Sequence, residues 1–328
     1  MRRREILALL CFAPLSTLGQ DKARGERMRR VAVMVASAED DPETRLRLAS
    51  FSGALRELGW SEGRNIEIVY RYAAGNPELM RRQAVELAAL RPELMVVQSN
   101  LALDAVRREG ITLPTVFLAV SDPVGGGYVK SLSHPGGQLT GFSNFEPATG
   151  AKWLQLLKEL APAVKRVTIL LNPNIAANRE LARSVESAGP SMGVVTSQDG
   201  ATDAGGKEQA IAATARERNG GLIVLPNPTN TEHRHQIIDA CTRHRVPAIY
   251  PFSYFALDGG LVAYGLDVVD MFKSTAAYVD RILKGVQPGE LAVQQPTRYE
   301  LVINLKAARA LGLRPSASLL ASASKVIE

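Results

Sequence analysis

Cysteine and histidine are scarce in this 328-residue chain, which has two of the first and four of the second. Cys11 lies close to the N-terminus and Cys241 is the other. If the leader described below is removed, no intrachain disulfide can form, and an exported fold must stand on its core alone. His233, His235 and His244 share one segment, "TEHRHQIIDACTRHR". A helical metal pair wants a spacing of three or four, whereas His233 and His235 are two apart, so the segment reads as a solvated polar face and no metal is expected. His134, in "SHPGG", has no nucleophile patterned beside it. Aromatic residues make up 5% of the chain, and no aromatic-basic platform or DNA-binding helix pair is present, so nucleic acid is not an expected partner. Gly125, Gly126 and Gly127 lack the spaced fingerprint and the Lys-Ser/Thr pair of a phosphate loop. No stretch is apolar for long enough to cross a bilayer, so the mature chain is expected to have no stable membrane insertion. No constellation requires catalysis, and neither enzyme activity nor a cofactor is expected.

What the chain does have is apolar residues, 46% of the total, enough for two domains with separate cores. Its 39 Lys+Arg and 33 Asp+Glu give a formal charge of +6, with the signs interleaved as on solvated helix faces. The N-terminus, "MRRREILALLCFAPLSTLGQDK", places three arginines before a short apolar run and then small and polar residues. This is the layout of a secretory signal with a cut after Gly19, so residues 1–19 are expected to be a signal peptide. "RRREIL" leaves the Sec and twin-arginine routes both open.

A strand-helix plan then runs twice. "RRVAVMVAS", a helical segment over residues 42–58 with Leu46, Leu48, Phe51, Leu55 and Leu58 as its apolar positions, "NIEIVYRYA", a helix capped by Asn76, "PELMVVQS" and "LPTVFLAV" alternate as in a parallel sheet covered on both faces. From Lys165 "KRVTILLNPN", "GVVTSQD", "GLIVLPNP" and "VPAIYP" repeat the pattern, with helices between, the last over residues 232–244. In residues 115–143 the glycines are read as bends, and residues 125–132 as a turn and short helix. The tail, from "GGLVAYGLD" onward, is too small for a domain and is expected to complete the sheets of the existing lobes, crossing between them more than once. The expectation is therefore an α/β fold of two Rossmann-like, doubly wound lobes joined by a multi-crossover hinge. Lobe 1 takes residues 29–144 plus part of 262–328, and lobe 2 takes residues 150–261 plus part of the C-terminal segment.

Open parallel sheets bind ligands beyond the carboxyl ends of their strands. Those loops hold Ser37, Gln98, Ser99, Asn100, Ser121 and Asp122 in the first lobe, and Asn172, Asn174, Asn227, Thr229, Tyr250 and Tyr254 in the second. Ser99 and Asn100, just before a helix, could receive a ligand carboxylate or only cap that helix. Asp122 could hold a ligand ammonium or only cap the turn before Pro123. The aromatic cluster in "IYPFSYFALDGG" could flank a flat apolar ligand or pack over the sheet edge.

"VFLAVSDPVGGGYVKSLSHPGGQLTGFS", "LKELAPAVKRVTILLNP", "AAYVDRILKGVQPGELAVQQPTRYELVINLKAARALGL" and the "RRRE" start together resemble the ABC transporter substrate-binding protein family that includes tryptophan/tyrosine-type binding proteins. The resemblance runs over nearly the whole chain. It implies the type I periplasmic binding protein fold, with a small solute gripped between two lobes, and an amino acid, aromatic in some relatives, as the ligand class. By position it implies Ser99, Asn100 and Asp122 as first-lobe contacts and the loops at residues 172–174 and 227–229 as second-lobe ones. It further implies a periplasmic location and ABC permease subunits in the inner membrane as partners. A periplasmic ligand-sensing subunit for a receptor kinase is the alternative, and an enzyme acting on a small carboxylate is a third reading.

Overall fold

The computed structural model describes residues 28–296 and 299–328; the expected signal peptide lies outside them. Two sheets form the framework. The first has five parallel strands in the order β2-β1-β3-β4-β5, with β1 Arg29–Val35, β2 Ile66–Tyr72, β3 Leu94–Gln98, β4 Thr115–Val120 and β5 Leu139–Ser143. Both of its faces are buried. Val31, Val33 and Val35 of β1 join one apolar cluster, while Ala32 and Met34 between them join another. Alternating side chains of one strand thus enter two cores, which is why the run reads as continuously apolar.

The second sheet runs β12-β11-β10-β9-β8-β6-β7, with β6 Arg166–Leu170, β7 Val195–Asp199, β8 Gly220–Val224, β9 Ala248–Tyr250, β10 Val262–Gly265, β11 Glu300–Asn304 and β12 Lys325–Ile327. Only the β10–β11 pairing is antiparallel. The tail's strands all join this sheet. To the first lobe the tail gives instead the helix Val268–Leu283, packed along the helix Pro42–Glu57, and a single bridge from Gln294 to Phe142.

The chain therefore passes between the lobes three times: after β5, after β10 and after Gln294. Phe145, just beyond β5, is 1% exposed and packs edge-on against Trp153 at 5.1 Å and against Phe252 at 5.5 Å, so apolar core continues through the hinge. At the second crossing Gly265 ends β10 where a Cβ would overlap the Pro251 carbonyl oxygen. Any larger residue there would push the two strand ends apart.

Three local readings are corrected. The helix Pro42–Glu57 buries Thr44, Arg47, Phe51, Ala54 and Leu55, whereas Leu46 is 53% and Leu58 40% exposed. Packing on the helix Val268–Leu283 sets its phase, and its cleft end turns polar residues inward. The expected single helix over residues 232–244 is two, Pro228–Glu232 and Arg234–Arg243, because Asn227 and Pro228 start a helix earlier and His233 interrupts it. Residues 125–132 form turns without a helix, since the Asp122 carboxylate accepts from the Gly125 N–H at 2.9 Å and closes a tight turn.

Candidate functional site

The carboxyl ends of both sheets face each other across a cleft, and the space left between them is small, about 40 Å³. That is far below the roughly 300 Å³ of an ordinary ligand pocket, so the lobes are shut upon one another. Ser37 follows β1, and Gln98, at the end of β3, accepts from the Ala36 N–H through Oε1 at 3.3 Å. Ser99 accepts from the Ala102 N–H at 3.3 Å and caps the helix Asn100–Arg108. Its backbone, at φ 90° and ψ 159°, lies in a region almost reserved for glycine. Ala119 at φ 51° and Asp122 at φ 45° are further left-handed residues beside the same cleft. Asn100 holds the Ser121 backbone at both groups, donating to its carbonyl at 2.9 Å and accepting from its N–H at 3.0 Å. Strained backbone locked by side-chain hydrogen bonds is a feature that accumulates at ligand sites.

From the second lobe come Ile175, Pro226, Asn227, Pro228, Thr231, Phe252 and Tyr254. Asn227 caps the helix Pro228–Glu232, accepting from the Asn230 N–H and the Thr229 hydroxyl, both at 2.8 Å. Phe252 and Tyr254 stack with centroids 5.3 Å apart and planes 13° apart. The Tyr254 hydroxyl shares a 3.3 Å hydrogen bond with Thr231, and burial raises its pKa.

Two arginines lie over the Tyr254 ring, Arg47 of the first lobe with Cζ 4.8 Å from the centroid and Arg234 of the second at 5.7 Å. Arg234 is ion-paired twice at 2.7 Å, to Asp258 of its own lobe and to Asp41 of the other, so this pair ties the lobes together. Arg47 is 2% exposed, and its Nε and Nη2 have no hydrogen-bond partner.

Of the residues expected at a site, Ser37, Gln98, Ser99, Asn100, Asn227 and Tyr254 line the cleft cavity together. Ser121, Asp122, Asn172, Asn174, Thr229 and Tyr250 do not line it. Ser121 donates to the Asn144 Oδ1 at 2.6 Å, and the Asp122 carboxylate caps its own turn. Asn172 accepts from the Asn174 N–H at 3.0 Å, while Asn174 is exposed. Thr229 is held by Asn227, and Tyr250 stacks on Phe255 at 5.1 Å inside the second lobe. Sequence reasoning missed Arg47, Asn144 and Val268, while Thr231 falls at the end of the strand-exit loop over residues 227–231. Only Arg47 carried a signal, being three residues after Thr44 and four before Phe51 on one helix face.

The model of the family described as "ABC transporter substrate binding protein" matches residues 31–327 of this chain. The "Tyrosine-binding protein" of Clostridioides difficile (strain R20291) is 21% identical over 302 residues, which are 91% of this chain and 86% of that one. Among solved structures, a conserved domain protein from Vibrio cholerae is similar with a TM-score of 0.84 and 28% identity, over 92% of this chain and 100% of that one. An ABC domain in complex with L-Trp from Streptococcus pneumonia has a TM-score of 0.83 and 21% identity over the same shares.

Proposed function

Since the chain belongs to the family of ABC transporter substrate-binding proteins, we propose that it is the solute receptor of an ABC importer, that it works in the periplasm, and that its ligand is an aromatic amino acid. The observation that carries this reading is the cavity formed jointly by the carboxyl ends of two parallel sheets. A ligand there touches both lobes at once, and only the closed state supplies both sets of contacts. Its binding energy therefore drives closure. The Phe252–Tyr254 stack offers a flat apolar face, and Ser37, Gln98, Asn144 and Asn227 offer neutral polar groups around it. Relatives described as binding tyrosine and as bound to L-Trp support the aromatic assignment.

The closed form then docks on permease subunits in the inner membrane, and other subunits hydrolyse ATP. Entry of the ligand requires the lobes to part, which breaks the Asp41–Arg234 pair and uncovers Arg47. No helix of the described residues is long and apolar enough to cross a membrane, consistent with a receptor that delivers its load to separate subunits.

Mass spectrometry of small molecules carried through purification, followed by a thermal-shift screen of the twenty amino acids, tests the proposal. Tyrosine, tryptophan or phenylalanine should raise the melting temperature, since ligand at a hundred times its Kd adds about 2.7 kcal/mol to the folded state. The bound species should be recovered unchanged. A response to none of the amino acids and no co-purified solute would overturn the receptor reading.

A further inference from the structure

Arg47 and Arg234 share the Tyr254 ring but differ in everything else that an arginine needs. Arg234 is 6% exposed and has two carboxylates at 2.7 Å. Arg47 is more deeply buried, and Nε and Nη2 donate to nothing. Among the described residues its ion contact is with Glu43 one turn away, with Nη2 and Oε2 3.6 Å apart, beyond a good hydrogen bond. A buried charged donor without a partner costs more than a neutral one, and this one is part of the cavity wall. No aspartate or glutamate is among the residues that line the same cavity.

We propose that Arg47 is the anchor for a carboxylate of the ligand, and that the site selects its ligand by this anion while leaving any ammonium to neutral oxygens. The proposal rests on the receptor reading and deepens it to a charge class. Adjacent guanidinium N–H groups such as Nε and Nη2 form a planar fork that matches the two oxygens of a carboxylate. The Tyr254 face beneath holds the guanidinium plane in place, so little side-chain freedom is lost on binding. An ammonium finds no such counterpart: the cavity offers it amide and hydroxyl oxygens only, such as those of Gln98, Ser99 and Asn144. The charge complement of the cavity is thus a net anion, and the zwitterion of an amino acid is accepted through its carboxylate end.

A matched ligand triplet reads this out by calorimetry on the full mature chain: L-tyrosine, 3-(4-hydroxyphenyl)propionate, which lacks the ammonium, and tyramine, which lacks the carboxylate. The acid should bind within about tenfold of the amino acid, and tyramine should fall by roughly a hundredfold or more, as for loss of a buried charged hydrogen-bonded partner. Arg47→Met, similar in length, should weaken tyrosine and the acid by the same roughly hundredfold and bring both near the level of tyramine. Its melting temperature without ligand should change little, because Nε and Nη2 have no hydrogen bond to lose while the long Glu43 pair and the Tyr254 ring contact go. Arg47→Lys should restore part of the affinity for the acid. If tyramine outbinds the acid, if Arg47→Met binds tyrosine as the parent does, or if a co-purified ligand has no acidic group, the anchor assignment falls and the receptor reading stands. If the parent chain binds none of the three and none of the twenty amino acids, and carries no co-purified solute, both fall. The triplet on the parent chain decides the matter even where Arg47→Met does not fold.

Discussion

In the second lobe, the polar side chains near the cleft mostly bond to one another. Asn178, fully buried, accepts from the Asn172 N–H at 3.0 Å and from the Asn227 Nδ2 at 3.3 Å, and donates to the Pro226 carbonyl at 3.0 Å. In the first lobe, Arg47 ends without partners for two nitrogens, and Ser99 and Ala119 hold left-handed backbone angles. One fold plan has thus produced a largely self-bonded platform opposite one with an incompletely bonded charge. The second lobe is left short of one neutral donor, at the buried Asn230 Oδ1, whereas the first leaves a charge incompletely bonded and gains most when a complementary group arrives. The ligand therefore completes the first lobe by lying against the second.

Breaking the platform should produce the largest effect. Asn178→Ala orphans the Asn172 N–H and the Pro226 carbonyl, at about 1–3 kcal/mol for each buried group. A loss of about 2–4 kcal/mol in chemical denaturation is expected for the second lobe. The counterpart in the first lobe is Asn100→Ala, which frees the Ser121 N–H and carbonyl. Ser121 is buried as well, so the stability cost should be of similar size, about 2–4 kcal/mol, while Asn100 itself lines the cleft cavity. Ligand affinity should fall more for Asn100→Ala than for Asn178→Ala in calorimetry. Equal losses of affinity in the two variants would remove the contrast between the lobes.

The sequence carried more of the fold than of the site, for a physical reason. Buried parallel strands such as β3, "LMVVQ", are continuous apolar runs, and the cap Asn76 lies in a local pattern, so both are visible within ten residues. Residues at strand ends inherit that legibility, and Gln98, Ser99, Asn100 and Asn227 do line the cavity. Arg47 was hidden because its direction depends on the phase of the helix Pro42–Glu57, which is set by packing on a helix more than two hundred residues later in the chain. Asn144 and Val268 stand at chain crossings, whose paths follow from the whole topology. Asp122 shows the opposite case, a local pattern fully absorbed by a local hydrogen bond.

The contact between the lobes provides the next test. Asp41 caps the helix Pro42–Glu57 through Glu43 N–H and the Thr44 hydroxyl, and also pairs with Arg234 at 2.7 Å. Asp41→Asn keeps a capping oxygen but removes the charge, and Arg234 retains Asp258. The closed form without ligand should lose about 1 kcal/mol, less than for a fully broken buried pair. Small-angle scattering should show a larger radius of gyration in the absence of ligand, and affinity should fall by about five- to tenfold. Unchanged scattering would mean that the hinge core around Phe145, rather than the ion pair, keeps the lobes together.

The smallest effect is expected at Glu232, on the second lobe beside Asp41. Its pKa is raised, first by partial burial and then by the Asp41 and Asp40 charges of the opposite lobe, against the lowering effects of Arg234 and of a hydrogen bond from the Ala38 backbone. A carboxylate with a raised pKa in the closed fold favours that fold when protonated. Its contribution is complete below the ordinary value of 4.5 and is lost as pH rises through the raised one. Acidification from neutral pH toward that range should therefore favour closure, in the direction opposite to a carboxylate held by an ion pair. Glu232→Gln removes the repulsion at every pH. A half-exposed like-charge contact is worth a few tenths of a kcal/mol, so at pH 7 the variant should melt about 1 °C higher and lose part of the rise in stability seen in the parent on mild acidification. A variant less stable than the parent at pH 7 would show that the Glu232 charge supports the platform through Arg234 more than it opposes closure through Asp41, and the rim of the second lobe would then be as dependent on its partner as the first.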